Sequence, residues 1–116
     1  MELAELTRRA VEVRVRFAAA ETDRGGPPWS RAELAQGFAG DVGALMKLVM
    51  AKEGRREGPP ELDAKLAHEL ADCLWSVLVL ADAYGVDLER AFVTTMDALK
   101  AKLPPGSIAG GLSHNS

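Results

Sequence analysis

The 116-residue chain has a single cysteine, Cys73, and only 5% aromatic residues. One thiol forbids an intramolecular disulfide and gives no sign of an oxidising compartment. Set in an apolar run, Cys73 reads as a small buried hydrophobe. Basic residues are not in excess: 14 Lys and Arg stand against 17 Asp and Glu, for a net charge of −3. The field of the whole chain therefore has the wrong sign for nucleic acid or an anionic membrane, and neither is expected as a partner. No apolar run approaches the roughly 18 residues of a membrane span. Met1 to Leu6 carries acids where a secretory leader needs bases, so the expectation is a soluble cytoplasmic protein. Internal repeats and strand-like alternation are lacking as well.

What is present is Ala, Leu and Val at helical spacing. Leu3, Leu6, Ala10, Val13, Phe17 and Ala20 recur at steps of three and four, which predicts an amphipathic helix over about 2–22. Arg8, Arg9, Arg14 and Arg16 fall mostly on its other faces, interleaved with Glu5 and Glu12 as a salt-bridged surface. Gly25-Gly26-Pro27-Pro28 stops the helix, and Ser30 with Glu33 forms a capping box for a second over 31–52. A breaker from Gly54 to Pro60 precedes a third helix over 61–84, ended by Gly85. Asp87 caps a fourth over 87–102, closed by Pro104-Pro105-Gly106. The expected fold is all-α, an antiparallel four-helix bundle, with one domain over 1–103 and a flexible tail over 104–116. From Leu70 to Val86 the third helix is apolar almost all round, so it should be enclosed on most sides. In a chain this size, extra cover implies a second subunit: a homodimer or a dimer of dimers.

Three acids break the apolar pattern. The inward seam of the second helix reads Leu34, Phe38, Asp41, Leu45, Leu48, with Asp41 where a leucine belongs. On the third helix Glu69 and Asp72 are three apart, hence on one face, with His68 and Ser76 beside them. Carboxylates inside a bundle need a counter-charge. One solution is a divalent cation; oxygen ligands without a Cys or His cluster favour Mg²⁺ or Mn²⁺. The other is an ion pair from Asp41 to Arg14, Arg16 or Lys65, leaving Glu69 and Asp72 as solvated charges. A di-iron bundle is not supported, because neither His68 nor His114 follows a glutamate by three residues.

The run His68-Glu69-Leu70-Ala71-Asp72-Cys73-Leu74-Trp75, with Leu80-Ala81-Asp82 and Gly85-Val86-Asp87-Leu88-Glu89-Arg90-Ala91-Phe92, resembles one half of a known pattern. Phe38-Ala39-Gly40-Asp41-Val42-Gly43-Ala44-Leu45 resembles the other half. Together they are similar to the all-α nucleoside triphosphate pyrophosphohydrolases of the MazG-like and dCTP pyrophosphatase type. The resemblance covers about residues 34–103 and implies a MazG-like fold. It also implies Mg²⁺- or Mn²⁺-dependent hydrolysis of a nucleoside triphosphate to the monophosphate and pyrophosphate.

In that family four acids, E-x-x-E on one helix and E-x-x-D on the next, hold the metal. Carried over, they fall on Asp41, Ala44, Glu69 and Asp72, so the second position has no carboxylate. Asp41, Glu69 and Asp72 are the expected metal ligands and catalytic residues. A lysine and an asparagine that face the triphosphate in relatives are Thr95 and Leu99 here. Lys100 and Lys102 remain as substrate-binding candidates, and Trp29 as a candidate for the base, with a packing role as its other reading. These departures leave two functional readings: a pyrophosphohydrolase, weakened or not, and an inactive homologue acting as a nucleotide-binding or protein-interaction module.

Overall fold

The computed structural model describes residues 1–106. It contains α1 (Leu3–Asp23), α2 (Arg31–Lys52), α3 (Leu62–Ala83) and α4 (Leu88–Lys102), and no strand among the described residues. The all-α class is as expected, and each helix starts and ends within a residue of its predicted bounds. Of the predicted tail over 104–116, residues past 106 lie outside those described.

Local chemistry sets the boundaries. The Ser30 hydroxyl accepts from the Glu33 amide at 3.1 Å while the Glu33 carboxylate accepts from the Ser30 amide at 3.0 Å, closing the capping box. The Asp87 carboxylate caps α4 by accepting from the Arg90 amide at 3.1 Å. Gly54 and Gly85, with φ of 74° and 66°, turn the chain out of α2 and α3. The next amide in each case reaches back to a helix carbonyl, Arg55 to Met50 at 2.9 Å and Val86 to Ala81 at 2.8 Å.

The chain divides into two compact units, 1–86 and 87 onward. In the first, α1 and α2 both pack on α3. That is why α3 is apolar on so many sides: two neighbours share it. Val79 is wholly buried, and Ala10, Leu34 and Leu78 are nearly so. Each large aliphatic side chain buried this way contributes about 1.5–3 kcal/mol relative to exposure. The expected enclosure of α3 is only partial, since Leu70 and Leu74, one turn apart, remain about half exposed.

The seam of α1 also differs from its expected course. Leu3, Leu6 and Ala10 turn inward, but Val13 and Phe17 are exposed while Val11, Arg14 and Ala18 are more covered. A straight helix cannot keep a strict three-four stripe on one neighbour for its whole length, so the contact line drifts. The Phe17 ring stays at the edge of the contact, meeting Trp75 of α3 edge-on with centroids 5.9 Å apart. The Trp75 indole N–H donates to the Ala10 carbonyl at 3.0 Å. The arginine face of α1 is ion-paired as expected at Arg8, Arg9 and Arg16, with Arg8 to Glu5 at 2.6 Å and Arg16 to Glu12 at 3.4 Å, whereas Arg14 has no ion pair among the described residues. The second unit contains α4, none of whose residues is buried.

Candidate metal centre

The phase of α2, fixed by its capping box, turns Leu34, Phe38, Asp41, Leu45 and Leu48 toward the interior of the first unit. Asp41 thereby faces α3. The two helices are joined by a nine-residue connection and pack along their length as a hairpin. On α3 the three-residue spacing puts Glu69 and Asp72 on the side that meets α2. Carboxylate oxygens of Asp41, Glu69 and Asp72 lie within 4.8 Å of one another, and all three residues are partly buried.

No Lys or Arg among the described residues pairs with these three acids. Among the described residues, neither Arg14, Arg16 nor Lys65 pairs with Asp41. The contact that Asp72 does make is with His68, whose Nε2 is 3.2 Å from its Oδ2. Oε2 of Glu69 is buried with no hydrogen-bond partner. A buried, partnerless carboxylate oxygen beside two further carboxylates is costly in the bare protein. A hard divalent cation would satisfy all three, so the donor set and the orphaned oxygen fit such an ion. Burial pushes the neighbouring Cys73 thiol up from its ordinary pKa, and the charges of the three acids add to the same direction.

A groove of about 660 Å³ opens beside the acids, with Glu69 on its wall. Its α2 side is made of small residues, Gly40, Gly43 and Ala44. Ala44, the position to which the resemblance assigns a fourth acid, sits on this groove. Lys47, Arg56 and Lys65 also line it. Lys47 and Arg56 are absent from the sequence reading, and Lys65 enters it only as a possible partner of Asp41, not as a groove residue. Spacing puts Lys47, three past Ala44, and Lys65, four before Glu69, on those residues' helix faces, but not on one shared groove.

Of the substrate-binding candidates, Trp29 does not line the groove. Its ring lies over Gly37 of α2, so close that a Cβ there would come within 3.1 Å of Cζ3, which is the packing role. Lys100 and Lys102 occupy the last turn of α4 in the second unit, where their charge complements the helix C-terminus.

Inward acids on adjacent helices, without a ring of His or Cys, define an all-α protein with an acidic cluster that could hold a hard metal ion beside a groove. The chain belongs to the MazG family: residues 32–105 match the family model described as the MazG nucleotide pyrophosphohydrolase domain. Enzymes of this family generally depend on a divalent metal. Among curated proteins the chain is similar to dCTP pyrophosphatase 1 of Rattus norvegicus, 35% identical over 71 residues. That alignment covers 58% of this chain and 42% of the relative, so the chain spans less than half the length of the protein it matches. No solved structure matches the chain significantly.

Proposed function

We propose that the protein is a nucleoside triphosphate pyrophosphohydrolase that releases the monophosphate and pyrophosphate in the presence of Mg²⁺ or Mn²⁺. The observation that carries this reading is the convergence of Asp41, Glu69 and Asp72 around the partnerless Oε2 of Glu69. These three residues would hold the ion, and Asp41 would serve as a ligand or as the group that orients the attacking water. When bound, the ion supplies neutralisation of phosphate charge and a lowered pKa for water. His68 restrains the Asp72 carboxylate through its 3.2 Å contact. Gly40, Gly43 and Ala44 keep the groove wall low enough for phosphate to approach. The protein's functional domain would take in α1 to α4 over 1–103, across both compact units, and act in the cytoplasm without nucleic acid.

The assembly is a homodimer or a dimer of dimers. Val42, Met46 and Val49, exposed at steps of four and three along α2, support this, as do Leu70 and Leu74 on α3.

The purified chain should be incubated with a panel of nucleoside triphosphates and Mg²⁺ or Mn²⁺, and pyrophosphate release measured. The name of the rat relative puts dCTP first in that panel. Release that disappears in Asp72→Asn supports the reading, and no release from any nucleotide overturns it. Ala44 favours the second reading, an inactive homologue that binds nucleotide or a protein, because its place on the groove carries no carboxylate. Turnover by the unaltered chain eliminates that alternative.

A further inference from the structure

The groove beside the acids is electrically two-ended. Lys47 on α2, Arg56 on the connection and Lys65 on α3 all line it together with Glu69. Among the described residues none of these three cations lies within ion-pair distance of a carboxylate, whereas Arg8, Arg16 and Lys52 are each paired. Lys47 lies six residues beyond Asp41, about 9 Å along α2, and Lys65 lies four residues before Glu69, about 6 Å along α3. The chain reverses between the two helices, so both offsets run the same way, toward the connection that carries Arg56. The acids therefore mark one end and the cations the other, with Glu57 lining the cationic end as well.

Resting on the hydrolase reading above, we propose that the cationic end, Lys47, Arg56 and Lys65, receives the phosphoanhydride chain of the substrate and holds the pyrophosphate that leaves. With a metal held at the acids, a polyphosphate chain would have its remaining charge to place along the groove, where Lys47, Arg56 and Lys65 lie. Lysine ammoniums and a forked guanidinium match that charge, and the guanidinium can take two phosphate oxygens at once. Free of ion-pair partners among the described residues, the three side chains meet an anion without first breaking an ion pair. The site is assembled from α2, α3 and their connection, within the first unit.

Inorganic pyrophosphate is the probe, titrated calorimetrically into the full chain with Mg²⁺ present. Lys65→Ala and Arg56→Ala should each weaken binding about tenfold, and Lys47→Ala with Lys65→Ala more than either alone. Lys52→Ala, whose partner is Asp63 outside the groove, should bind as the unaltered chain does. Lys47→Gln with Lys65→Gln, which keeps side-chain length, repeats the test should the alanine pair fail to fold. Mn²⁺-induced stabilisation should persist in every groove variant, separating loss of the anion from loss of the metal. Pyrophosphate binding unchanged in the double variants, or absent in the unaltered chain, overturns the proposal. Nucleotide turnover distinguishes the two readings: no turnover with cation-dependent pyrophosphate binding removes the hydrolase and keeps the anion site. Turnover with an unaltered KM in the double variants does the reverse.

Discussion

Asp41 on α2 and Glu69 on α3 present carboxylate oxygens within 4.8 Å of each other, with Oε2 of Glu69 buried and unbonded. Like charges at that range repel, and the unbonded oxygen has given up water for nothing. Glu69→Gln removes the charge and supplies an amide N–H that a neighbouring carboxylate can accept. The variant is expected to gain about 1 kcal/mol without metal, a rise of about 4 °C in Tm. It should also lose the rise in Tm that Mn²⁺ gives the unaltered chain. Thermal melts with and without Mn²⁺ measure both, and a lower metal-free Tm would mean that Glu69 is satisfied in solution.

Ala44 leads to the opposite manipulation. It lines the groove beside Glu69, one turn after Asp41. Ala44→Glu adds a fourth carboxylate to a three-carboxylate set, and ligand charge count is a main determinant of affinity for hard cations. Half-saturation by Mn²⁺, followed by titration of Tm or by paramagnetic relaxation, should fall about tenfold. The same substitution should lower metal-free stability, since the new charge joins three already close together.

Much of this arrangement was legible before any coordinates. The helix boundaries followed from Ser30, Gly54, Gly85 and Asp87, whose effects are local and therefore readable in sequence. Asp41 stood out because an acid on an apolar seam needs a reason, and Glu69 with Asp72 because three-residue spacing fixes a common face. The cationic end of the groove was not legible: Lys47, Arg56 and Lys65 are ordinary surface cations until the α2–α3 hairpin brings them onto one cavity. Trp29 was ambiguous for a related reason. An exposed aromatic before a helix suits a base or a packing contact equally, and its close approach to Gly37 is the contact that favours packing. Phe17 was assigned to the core by periodicity, yet lies at the rim, because drift of the α1 contact line is set by its partner helix.

The Trp75 indole N–H to Ala10 carbonyl hydrogen bond is a polar tie between α1 and α3, and the Phe17 ring meets the Trp75 ring edge-on. Trp75→Phe keeps an aromatic ring but removes the N–H donor. The expected cost is about 1–2 kcal/mol in chemical denaturation, combining a lost hydrogen bond with looser aromatic contact. Combined with Phe17→Leu, the two losses should be less than additive, since both act on the same contact.

On α1, the Arg8 guanidinium hydrogen-bonds Glu5 and holds its carboxyl well below the ordinary 4.5, at about 2. A group whose pKa is lower in the folded state binds its proton less readily there than in the unfolded chain. Its contribution is therefore present above about pH 4.5 and is lost as pH falls through about 2. Glu5→Gln should flatten the acid limb of stability in that window and leave stability near neutrality little changed, because the pair is exposed. Melts across the acid range for both proteins test it, and parallel acid limbs would contradict the assignment.

Glu61, the residue before α3, holds a left-handed conformation with φ 57° and ψ 43°, the one non-glycine with positive φ among the described residues. Its side chain makes no cap hydrogen bond, so nothing local offsets the steric cost of Cβ, about 1–2 kcal/mol. The conformation is imposed by its neighbours: Pro59 and Pro60 precede it, and its carbonyl must accept from the Lys65 amide at 3.1 Å to start α3. Glu61→Gly relieves the clash but adds freedom to the unfolded chain, for a net gain of about 0.5–1 kcal/mol. Glu61→Ala keeps the Cβ and should gain nothing, so the difference between the two variants in urea denaturation isolates the backbone effect. Because this residue sets the start of the helix that carries Lys65, Glu69 and Asp72, the glycine variant should retain full Mn²⁺-induced stabilisation. Reduced stabilisation would mean that the strained turn holds α3 in register with Asp41.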